Sequence, residues 1–154
     1  MARYKHTDAE GGQGQFLTVN LKAQLLPGTF EYMLNDLIDK KTVDISIFDG
    51  NYKNDLTGAK AIPPAALIKL IIYGYRKGQI SSRRICELAK VNMVAKALAN
   101  DMEPHWTTIA DFISRNSKQF EDVFTKVLMY CVELDLVGGE ELAADGCRLA
   151  SNAS

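Results

Sequence analysis

The sequence predicts a mainly α-helical protein that closes on one β-hairpin. Three observations point there. From Thr29 to Leu136 apolar residues return three and four positions apart, the spacing of a helix that buries one face. Residues that cap helices (Thr29, Ser81 or Ser82, Asn92, Thr107 or Thr108) stand ahead of those runs, and Ser117 opens the last. Convincing two-residue alternation is confined to the last dozen positions, around Asp145-Gly146.

Taken in order, residues 1–28 form a lead-in. Positions 1–15 are polar and Gly-rich. FLTVNL alternates like a strand, and the LKAQLLPGT after it resembles a helix stopped by Pro27-Gly28. The helical part is assigned to 29–138. TFEYMLNDLIDKK places Phe30, Met33, Leu34, Leu37 and Ile38 on one helical face behind a Thr29 cap. VDISIF fits a short strand or a short helix, and NYKNDLTGAKA reads as a loop. Pro63 and Pro64 open PPAALIKLIIYGYRKG, with Gly78 suited to the position just past the end. Its apolar residues surround nearly the whole circumference, which predicts the buried centre of the domain. SRRICELAK turns Ile85, Leu88 and Ala89 to one side, and NMVAKALAN starts from an Asn92 cap. In TTIADFISRN, Asp111 stands three residues after Thr108, as in a capping box. A long helix from Ser117 carries Phe120, Val123, Phe124, Val127, Leu128, Cys131 and Leu134 on one stripe and ends at Gly138-Gly139. Residues 139–154 are the third unit, a hairpin with Asp145 at its tip.

A 154-residue chain that is 47% hydrophobic has material for one real core. Cys86, Cys131 and Cys147 are odd in number and far apart, which supports neither a disulfide framework nor a zinc site. They read as reduced thiols of a cytoplasmic protein. The most apolar run, 65–75, is interrupted by Lys69 and is too short to span a bilayer, and the N-terminus lacks the apolar core of a secretory signal.

The formal charge of −1 hides a segregation: residues 1–59 sum to −2, 60–96 to +7 and 97–154 to −6. The positive block holds Lys60, Lys69, Arg76, Lys77, Arg83, Arg84, Lys90 and Lys96 on consecutive short helices and turns, a layout suited to contacting phosphates. A solvated basic face is the competing explanation. Two short helices followed by a third beyond Pro104 are compatible with a helix-turn-helix and also with many bundles. Charge and helix geometry leave both explanations open; a contact with double-stranded DNA would run through Arg83, Arg84, Lys90 and Lys96 with Lys77, and with Thr107, Thr108 and Arg115 as secondary contacts. His105, between Pro104 and Trp106, is expected in a loop or cap; Trp106 is expected to pack, with stacking on a base as its alternative. Tyr73 and Tyr75 belong to the buried helix, and Cys147 is a lone thiol without a His partner.

Three ordered motifs carry a resemblance. IPPAALIKLIIYGYRKGQISSRRICELAKVN is similar to the N-terminal domain of bacterial insertion-sequence transposases of the DDE type, PHWTTIADF to that family's next signature, and AADGCRLASNAS to the D-G-x-x-x-x-x-N-A-S segment that holds its first catalytic aspartate. The resemblance spans roughly 60–154. It implies that Asp145 is a catalytic, metal-binding residue at the start of an RNase H-like domain. Mg²⁺ or Mn²⁺ would assist displacement at phosphorus in the intact enzyme. It implies transposon ends as the DNA, and a second copy or a full-length transposase as the protein partner. The later Asp and Glu of the family have no counterpart here, so the expectation is a truncated and inactive chain, with no metal bound tightly by one carboxylate. Glu140 and Glu141 are assigned no ligand role by the resemblance. A stand-alone DNA-binding regulator of a transposase, and a decaying remnant without function, are the alternatives.

Overall fold

The computed structural model describes residues 18–51 and 61–136. Among the described residues six α-helices follow in order: α1 (Phe30–Asp39), α2 (Pro64–Arg76), α3 (Ser82–Val91), α4 (Met93–Leu98), α5 (Trp106–Arg115) and α6 (Ser117–Glu133). Among the described residues there is no strand, and no helix is long and apolar enough to cross a membrane. The expected hairpin and Cys147 lie outside the described residues.

The local signals act where the sequence places them. Thr29 Oγ1 accepts the Tyr32 N–H at 3.3 Å, Ser81 Oγ accepts the Arg84 N–H at 3.3 Å, and Asn92 Oδ1 accepts the Ala95 N–H at 2.9 Å. Past α2 the Gly78 N–H donates to Tyr75 O (2.9 Å) and the Gln79 N–H to Gly74 O (2.8 Å), with Gly78 at φ +72°. This pairing closes a helix through a left-handed residue, a backbone conformation that strains any residue with a Cβ although the space beside Gly78 is open.

Helix α2 is the hub, in contact with α1, α3, α4 and α5. Ala66 through Gly74 are all buried, and Leu67, Ile68, Leu70 and Ile71 meet Leu34, Phe48, Ile85, Leu98 and Ile109 in one continuous core. Gly74 lets α3 approach closely, because a Cβ there would stand 2.9 Å from Ile85 Cγ1. Tyr75 meets Phe120 and Phe124 edge-on, at 6.2 and 6.4 Å between ring centroids, and so seats α6 against the end of α2.

Several expectations are corrected. Helix α5 starts at Trp106, ahead of both expected caps. His105 Nδ1 lies 3.4 Å from the Thr107 N–H and 2.8 Å from Thr107 Oγ1, so His105 is the cap and Thr107 and Thr108 belong to the first turn. Asp111 is therefore an interior helix residue. For VDISIF the helical alternative holds, in the form of a 3₁₀ segment, Ser46–Asn51, whose Phe48 stacks on Phe112 at 5.3 Å. The expected helix before Pro27 shrinks to a 3₁₀ turn, Lys22–Gln24. On α6, Leu134 is exposed: the helix ends at Glu133 and Asp135 is left-handed, ahead of the expected end at Gly138-Gly139, which lies outside the described residues.

Candidate nucleic-acid interface

Helix α3 buries Ile85, Cys86 and Ala89 and turns Arg83, Arg84, Glu87, Lys90 and Val91 to solvent. The split follows from apolar residues at one-turn spacing, which leaves the charged positions on the other side. The Arg83 guanidinium lies 4.4 Å over the Trp106 ring, joining the first turns of α3 and α5. Both turns present backbone N–H groups and small hydroxyls, from Ser81 and Ser82 on α3 and from Thr107 and Thr108 on α5. Helix N-termini favour anions, so this edge adds to the positive field of the arginines.

The positive block does not act as one surface. Lys69 is fully buried; its Nζ donates to Asn35 Oδ1 (2.9 Å) and Asp39 Oδ1 (2.8 Å), so it ties α2 to α1 and reaches no phosphate. Arg76 lies over the Phe30 ring at 4.4 Å and 3.9 Å from Glu31. Lys96 Nζ sits 3.0 Å from Glu103 Oε1 and 3.6 Å from Asp101 Oδ1. The hydrogen bond to Glu103 is the main cause that raises the Lys96 pKa above its ordinary 10.5, and two carboxylates offset its charge. Lys77 holds its ammonium 5.4 Å from the Tyr73 ring and remains exposed. Arg84 and Lys90 have no acidic partner among the described residues. Arg115 is exposed at the end of α5, on the far side of that helix's length from Thr107 and Thr108.

The structure thus brings together Arg83, Arg84, Lys90, Thr107 and Thr108 around α3 and the start of α5, with Lys77 at the preceding turn. It sets Lys96 apart, inside its own acidic clamp. One signal for the burial of Lys69, though not for its partners, was legible: it lies within a helix that is apolar round nearly its whole circumference, and a fully buried lysine is almost always paired. The Lys96 clamp carried no such signal, because Asp101 and Glu103 belong to the loop after α4. Asp145 lies outside the described residues. Among the described residues no group of three or more His, Cys, Asp or Glu could hold a metal ion.

A family model described as "Transposase domain (DUF772)" matches residues 19–115, from ahead of α1 to the last residue of α5, and so spans the whole of this surface. No curated protein and no solved structure matches the chain.

Proposed function

Because the chain belongs to the transposase domain (DUF772) family, we propose that its helical part binds duplex DNA at transposon ends through the outer face of α3 and the first turn of α5. The observation that supports this reading most is the pair of exposed cations Arg84 and Lys90 on one helix, without an acidic partner among the described residues, beside Arg83 held in place by Trp106. Phosphates are the chemistry such a face fits: fixed cations and helix N-termini stabilise them without reading sequence. Lys77, Thr108 and Arg115 extend the contact at its margins, with Thr107 engaged by His105.

We extend the proposal to a DDE-type enzyme in which this module positions the DNA for cutting and joining. Asp145 would be one oxygen ligand of a Mg²⁺ or Mn²⁺ ion, and such an ion supplies activation of the attacking oxygen and stabilisation of the leaving one. The described chain's part is the earlier one: to hold the duplex in register before chemistry.

The test is salt-dependent binding of the 154-residue chain to duplex DNA. Each phosphate contact contributes a log-log slope of about −0.9, so Arg83→Ala with Lys90→Ala should flatten the slope by about 2. An unchanged slope and affinity would move the site away from α3.

A further inference from the structure

The two most exposed large apolar side chains among the described residues, Ile80 (80%) and Val91 (79%), bracket α3. Between them the outward face carries Arg84, Glu87 and Val91 at intervals of three and four, one above the other along the helix. Lys90 and Arg83 flank that row. A face built only to hold phosphates would gain nothing from a carboxylate at its centre, since Glu87 would repel them, and nothing from a bare valine. Base edges are different. In the major groove a carboxylate accepts from the cytosine amino group, an arginine donates to guanine, and an aliphatic side chain meets the thymine methyl.

Resting on the DNA-binding reading above, we propose that α3 is the helix that enters the major groove, and that Arg84, Glu87 and Val91 read base edges while Arg83 and Lys90 hold the flanking phosphates. The ten-residue helix is about 15 Å long, enough to lie across several base pairs of a groove about 12 Å wide. Helix α5 fits the role less well. Its exposed face offers Thr107, Thr108, Asp111, Ser114 and Arg115, with one cation, one carboxylate and no large exposed apolar residue. Arg84, Glu87 and Val91 thus determine which sequence is bound, and Arg83 and Lys90 determine how tightly any sequence is held.

The experiment is selection from a library of randomised duplexes by the whole 154-residue chain, compared with Glu87→Gln, Glu87→Ala and Val91→Ala. The exposed positions of both residues leave the fold intact, and thermal melts verify this. The wild-type chain should enrich a motif containing a cytosine. Glu87→Gln should shift that position toward adenine, and Glu87→Ala should lose about tenfold of the preference there. Val91→Ala should relax a neighbouring thymine, and the salt slope should stay unchanged in every variant. A motif identical in wild type and Glu87 variants overturns the assignment to α3 while leaving DNA binding in place, as does binding without any motif. A motif altered instead by Asp111→Asn moves the reading to α5. Failure of the wild-type chain to bind the library at all overturns both this assignment and the reading on which it rests.

Discussion

The guanidinium of Arg83, the second residue of α3, lies 4.4 Å over the indole of Trp106, the first residue of α5. This contact orders a cation that would otherwise sample many rotamers, and it fixes the mutual placement of two helix N-termini. Trp106→Leu should therefore weaken DNA binding without removing any charge. At an exposed site such a contact contributes about 0.5–1 kcal/mol, a loss of roughly two- to fivefold in affinity. Titration of duplex DNA against both proteins checks this, and Trp106→Phe, which keeps an aromatic face, should lose less.

Lys96 and Lys90 offer a matched comparison. Lys96 is clamped by Glu103 and Asp101, whereas Lys90 has no acidic partner among the described residues. Lys90→Ala should reduce the salt slope by about 0.9, and Lys96→Ala should leave it unchanged. Equal effects on the slope would show that the clamp opens when DNA binds.

Gly74 and Ile85 should behave as a coupled pair. Gly74→Ala puts a methyl 2.9 Å from a buried isoleucine carbon, and overpacking of this kind costs about 1–3 kcal/mol. Ile85→Ala opens a cavity and is destabilising alone. The double variant should be more stable than the sum of the two losses predicts, because each change relieves the other. Denaturant melts of all four proteins give the coupling.

The Lys69–Asp39 contact joins a fully buried ammonium to a carboxylate that is half exposed. Asp39→Ala should cost about 1–3 kcal/mol by leaving Lys69 buried with only Asn35, whereas Lys69→Met should cost less, since an apolar side chain of similar length fits the same space. Reversal of that order in thermal melts would mean that water reaches Lys69 once Asp39 is gone.

Burial raises the pKa of Tyr73 and Tyr75 above the ordinary 10.0, and that of Cys131 above 9.0. Each group releases its proton more readily in the unfolded chain. The stability each contributes is therefore full below its ordinary value and is lost as pH rises through the raised one. Tyr73→Phe should flatten the alkaline limb of a stability-versus-pH curve measured between pH 8 and 11.

Helix positions and most of their boundaries were legible in the sequence because they depend on neighbours within a turn or two. Thr29, Ser81 and Asn92 cap the helices that follow them, and Gly78 takes the left-handed place after α2. The buried character of α2 was legible for the same reason, from its unbroken apolar circumference. The sequence also marked the basic segment, and α3 within it. Tertiary structure alone decided which cations remain available. Lys69 is neutralised across 30 residues of sequence and Lys96 by the following loop, while Arg83 finds its ring 23 residues later; no periodicity encodes such distances. The start of α5 was missed because Thr107 and Thr108 compete with His105 as caps on local propensity, and the geometry of the His105 ring with Thr107 settles the competition. Local propensity and periodicity thus determine what the elements are; long-range packing and charge pairing determine which of their side chains remain free to meet a partner.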